Sequence, residues 1–67
     1  MTLTKADMIM IEMDYLNEDL ESLYIVREIL YDRKEWDAYY TVMDIIDEWN
    51  GKYDALEQEL KELRGGE

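Results

Sequence analysis

The chain has no cysteine, no histidine and no proline, and only three glycines and one serine in 67 residues. Each absence closes a route. Without cysteine there is no disulfide, and without cysteine or histidine the common zinc sites cannot be assembled. The Glu-x-x-His pairs of di-iron helix bundles are excluded for the same reason. Ser22 is the sole serine and has no histidine to act as its base, so no nucleophile of the usual kind can be activated. Glycine occurs only at 51, 65 and 66, which leaves no Gly-rich phosphate cradle. No run approaches the roughly 20 apolar residues that cross a bilayer. The opening Met1-Thr2-Leu3-Thr4-Lys5 lacks the basic start and apolar stretch of a secretory leader. These absences point to a cytoplasmic protein that is not an enzyme, takes no cofactor or metal, and has no small-molecule substrate.

Basic residues are scarce as well. Eighteen acids face seven bases, for a net charge of -11. Direct binding to nucleic acid is disfavoured, because it needs Lys and Arg against phosphates. Anionic membranes are disfavoured too. A basic protein surface would be attracted. The hydrophobic content of 48%, with two Trp and six Tyr, argues against disorder despite the charge.

With so few breakers, long helices follow. Thr4 suits an N-cap, and Asp7 three residues on completes a capping box. The spacing predicts a first helix from about Lys5 to Tyr31. Asp32-Arg33-Lys34 reads as the turn of a helical hairpin. A second helix starts near Lys34 or Glu35. No lasting period-2 alternation supports strands.

The second helix carries Tyr39, Val42, Ile46, Trp49, Tyr53, Leu56, Leu60 and Leu63, in alternating steps of three and four. That strict seven-residue repeat indicates coiled-coil-like packing. It passes through Asn50-Gly51, which favours one helix from about 35 to 64. The Asn-Gly pair also suits a helix end, so a short third helix that folds back stays open. Apolar residues are densest from Trp36 to Trp49, which predicts the deepest burial near the turn.

The first helix has two apolar stripes. One is Ile9, Met13, Leu16, Leu20, Leu23 and Leu30, with Arg27 interrupting it as a rim residue expected to pair with an acid of the second helix. The other is Met8, Ile11, Tyr15, Ser22, Ile25 and Ile29, interrupted by Glu18. A helix with one buried face needs one stripe. Two stripes imply a second cover, either another copy, a folded-back segment or a foreign protein. Met8, Ile11, Tyr15, Ile25 and Ile29 form the candidate contact patch. Trp36, Trp49, Tyr39 and Tyr53 read as core. The fold expected is all-α, an antiparallel hairpin of two long helices over 1–67, completed by dimerisation or a partner, with 65–67 a frayed tail.

Carboxylates are the one abundant functional group. Asp7, Asp14, Glu21 and Glu28 recur every seven residues, and Glu18 joins them. Neighbours one turn apart sit roughly 5–6 Å from each other, a spacing of the same order as phosphates along a DNA strand, and they repel. Asp37, Asp44, Asp47 and Glu48 add an acidic face on the second helix. Asp44, Asp47 and Glu48 share a turn but lack a calcium-binding loop around them. The plain reading of these acids is a solvating surface. The sharper one is a negative face that binds a basic, nucleic-acid-handling protein.

In size, helical periodicity, acidity and lack of catalytic groups the chain resembles phage-encoded inhibitors of host defence, such as anti-CRISPR and anti-restriction proteins. That likeness is one of composition. It implies a DNA-mimic inhibitor. The contrasting expectation is a self-associating scaffold bundle, held as a homodimer by the second stripe.

Overall fold

The computed structural model describes residues 2–65. Two helices make up the molecule, α1 (Lys5–Asp32) and α2 (Trp36–Gly65), packed antiparallel along their length. At 1.5 Å per residue they run about 42 and 45 Å.

α1 begins with the expected capping box. The Asp7 amide donates to Thr4 Oγ1 and the Thr4 amide donates to Asp7 Oδ2, both at 3.1 Å. Two otherwise unpaired donors are thereby satisfied. α1 runs one residue past the expected end, and the turn is Arg33 to Glu35. The Glu35 amide donates to the Leu30 carbonyl (3.0 Å) and the Lys34 amide to that of Tyr31 (3.1 Å). That pair of bonds is a Schellman motif, with Lys34 in the left-handed position at φ 59°. Glycine is the usual occupant there, so a lysine adds strain.

α2 is continuous through Asn50-Gly51 and forms no third helix. Gly51 has ordinary helical φ, and a Cβ added to it would meet nothing within 4 Å. The loss of helix propensity at one glycine is about 1 kcal/mol, and a stripe packed on both sides of it outweighs that. Among the described residues, no segment therefore folds back onto the outer face of α1. Residue 65 closes α2, and the rest of the expected tail lies outside the described residues.

The seam between the helices is the one the heptads mark. Ala6, Ile9, Met13, Leu16, Leu20, Leu23, Arg27 and Leu30 are the buried or half-buried residues of α1. Opposite them lie Val42, Met43, Ile46, Trp49, Tyr53, Leu56 and Leu60, all likewise shielded. Cross-helix contacts run from Tyr31 and Trp36 at the turn, through Arg27–Met43 and Tyr24–Asn50, to Met10–Arg64 and Lys5–Glu59 at the open end.

The expectation of deepest burial near the turn is not met. The most buried side chains are Ile9, Leu20 and Ile46, in the middle and toward the open end. Trp36, read from the sequence as core, is 43% exposed. Tyr31, Trp36, Tyr39 and Tyr40 pack ring on ring at centroid distances of 5.4 to 5.9 Å. Two helices have one seam, so a broad apolar band wraps around them and cannot all go inside.

The molecule is accordingly a slat, 49 × 23 × 11 Å, one helix thick. Its radius of gyration is 15.5 Å, against about 11 Å for a compact domain of this length. Its accessible surface is 5416 Å², where about 4,500 Å² is typical of this mass.

Candidate interaction surface

A slat of two antiparallel helices has two narrow edges, the back of α1 and the back of α2, pointing in opposite directions. Helical geometry assigns residues to each. With Ile9, Leu16 and Leu23 in the seam, Ile11, Glu18 and Ile25 project straight back from α1. Met8, Tyr15, Ser22 and Ile29 form the column on one side of them, and Asp7, Asp14, Glu21 and Glu28 the column on the other. Beyond the Tyr15 column come Glu12 and Asp19.

All five residues of the candidate apolar patch are exposed, from 42% at Ile11 to 65% at Tyr15. The second cover expected from the sequence is not supplied by any segment among the described residues. The reason is the unbroken α2, whose far half stays on the seam. Leu3 and Val26 are exposed beside the patch and belong with it. Val26 was legible as a member, three residues from Ile29 on the helix surface.

The patch has two ends and a waist. Leu3, Met8, Ile11 and Tyr15, with Glu12, line an open groove of about 360 Å³ at the start of α1. Ile25, Val26 and Ile29 make the other end. Glu18, Asp19 and Ser22 separate them. The Ser22 hydroxyl turns back to the Glu18 carbonyl at 3.4 Å, which satisfies it within the helix.

Nine carboxylates were singled out from the sequence, and all nine are exposed. They do not make one surface. Asp7, Asp14, Glu18, Glu21 and Glu28 lie with the back of α1. Asp37, Asp44, Asp47 and Glu48 lie with the back of α2, at the opposite edge. The ion pairs among the described residues are Lys5–Glu59 (3.2 Å) and Lys61–Glu57 (3.7 Å), so none of the nine is neutralised by a pair there.

Of the seven bases, Lys5, Arg27, Lys61 and Arg64 make contacts away from these nine acids. The acid partner expected for Arg27 is not found among the described residues. Its guanidinium lies 5.0 Å from the centre of the Tyr24 ring, and Nη1 points at Met43 Sδ at 3.8 Å. The broad face beside the seam offers aromatic and thioether surface at that point, which suits a weakly hydrated guanidinium. Arg64 similarly approaches Met10 Sδ at 3.4 Å.

No three acidic side chains among the described residues converge in a way that would hold a metal ion. A groove between the helices, about 450 Å³, is lined by Tyr15, Leu16 and Leu56 with Glu12, Asp19, Lys52 and Glu59 around them. No helix among the described residues is long and apolar enough to cross a membrane. No family model, no curated protein and no solved structure matches the chain.

Proposed function

We propose that this is a non-enzymatic interaction protein that binds a basic, nucleic-acid-handling protein and thereby inhibits or regulates it. One observation carries the reading. The back of α1 exposes an apolar stripe between columns of unpaired carboxylates, on a chain of net charge -11. Exposed apolar surface rimmed by polar and charged residues is characteristic of protein-binding sites. The carboxylates draw a positive partner in and the apolar residues hold it. In its finer form the proposal makes the acidic columns a mimic of a nucleic-acid backbone, in the manner of phage-encoded inhibitors.

A homodimer or scaffold bundle is the competing reading, favoured by the same bare stripe. The rim of carboxylates weighs against it, since like charges meet across such an interface.

Surface-coupled chain exposed to a cell lysate at low and at high salt tests the proposal. The captured protein is expected to be basic, to associate more slowly as salt rises, and to be released by added double-stranded DNA. An acidic partner, or an association rate indifferent to salt, overturns the charge-guided reading. Release by salt but not by DNA removes only the nucleic-acid mimicry.

A further inference from the structure

We infer that the back of α1 is built to receive one α-helix of the partner, amphipathic, with an apolar stripe bordered on both sides by Lys or Arg. The inference rests on the proposed function and narrows it from a basic surface to a defined helical element. Three features on the same edge lead to it.

The first is shape. Met8 to Ile29 lie along about 32 Å of straight helix, and the hairpin puts nothing over them. A long, narrow strip beside a single helix fits another helix laid along it, as apolar grooves receive amphipathic helices in general. The dent lined by Leu3, Met8, Ile11 and Tyr15 gives one large apolar side chain a place to seat.

The second is charge. Asp7, Asp14, Glu21 and Glu28 edge the strip on one side, and Glu12 and Asp19 on the other. An incoming helix meets carboxylates along both of its flanks, so Lys and Arg belong on both. A second copy of this chain is the wrong occupant. In antiparallel pairing the Asp14–Glu21 column faces its own counterpart. In parallel pairing it faces Glu12 and Asp19. Either way acids oppose acids, between chains that each carry -11.

The third is the waist. Glu18 projects straight back between Ile11 and Ile25, with Ser22 beside it. An apolar residue opposite Glu18 would strip its carboxylate of water without a partner. The occupant therefore carries a cation at the centre of its stripe and apolar side chains toward both ends.

The test uses the full chain and a synthetic amphipathic peptide of about 21 residues, the length that spans the strip. The peptide has Leu at helical spacing, Lys and Arg on both flanks, and a central Lys. Binding is followed by fluorescence anisotropy and mapped by backbone amide NMR shifts. Shifts are expected along residues 8 to 29 on the back of α1. The double variant Ile11→Ser/Ile25→Ser, which leaves the charge unchanged, is expected to weaken binding by about tenfold or more. Asp44→Asn/Glu48→Asn, on the other edge, is expected to change it less than about threefold. A peptide with Glu in place of the central Lys is expected to bind more weakly.

Three results overturn the inference. One is shifts spread over both acidic edges, or equal binding of a peptide with the same charge and scrambled Leu positions. Either would leave the general charge-guided reading standing. The second is a stable dimer in sedimentation with α1's back protected from exchange, which would hand the strip to a second copy. The third is no binding of any cationic peptide at low salt, which would remove the proposed function as well.

Discussion

The outer edges of the two helices both face water and are written in different residues. Straight back from α2 come Asp37, Asp44, Gly51 and Gln58, flanked by Tyr40, Asp47 and Asp54 on one side and Thr41 and Glu48 on the other. Straight back from α1 come Ile11, Glu18 and Ile25, flanked by Met8, Tyr15 and Ile29. All of these residues are exposed. Burying an Ile or Met side chain is worth about 1.5–3 kcal/mol, so α1, with Met8, Ile11, Tyr15, Ile25, Val26 and Ile29 bare, gains more from a further neighbour than α2, whose back exposes Tyr40 among acids. The hairpin leaves more apolar surface bare on the back of α1 than on the back of α2. That difference is the ground for proposing the interaction surface on α1, although acids are abundant on both edges.

The comparison can be broken or sharpened by substitution. The largest effect belongs to the seam that both helices share. Ile46→Ala removes the most buried side chain (3% exposed) and is expected to destabilise by about 2–5 kcal/mol. Total stability for a chain of this length is about 3–10 kcal/mol. Urea unfolding followed by circular dichroism should show a much lower midpoint, or an unfolded chain.

Gly51→Ala sharpens the contrast from the α2 side. The added Cβ meets open space on a helical backbone, so the variant is expected to be more stable by about 1 kcal/mol. A lower melting temperature would show that α2 is broken at Asn50-Gly51 in solution. A third helix free to fold over α1 would then erase the difference between the edges.

Lys34→Gly probes the turn that sets the two edges apart. Relief of the left-handed lysine at φ 59° is expected to stabilise by about 0.5–1 kcal/mol after the entropy cost of glycine. Destabilisation in thermal melts would mean that the turn is not the Schellman motif described.

Ile11→Ser with Ile25→Ser should have the smallest effect on folding, within about 0.5 kcal/mol for each change, because both side chains already face water. A loss of several kcal/mol in the same unfolding assay would mean that α1's edge is covered in the free protein. The two edges would then not be equivalent in solvent.

Much of the fold was legible without coordinates. The steps of three and four from Tyr39 to Leu63, the Thr4–Asp7 box and the polar break before Trp36 specify two helices and an antiparallel hairpin. Each depends on neighbours within a few residues or on a simple repeat. The readings that failed depend on what lies across the chain. Trp36 looked like core because its apolar neighbours were dense, but a single seam has no room for a band that wraps around both helices. Arg27 looked like half of an ion pair, but the Tyr24 ring and the Met43 sulfur stand where its head reaches.

The candidate surface divides in the same way. Periodicity was enough to find the second stripe of α1 and its column of acids. It was not enough to show that the nine acids part company onto opposite edges, since a list of exposed residues carries no direction until the helices are docked.

The residues themselves determined that there are two long helices, where the first is capped, and that α1 is apolar on two sides, because helix periodicity and capping are local properties of the chain. The tertiary structure alone decided which of the two stripes is used internally, that α2 runs unbroken past Gly51, and that nothing among the described residues returns to cover Ile11, Ile25 and Ile29. Those outcomes turn on which surfaces compete for one seam, and that competition is settled only when both helices are placed in space.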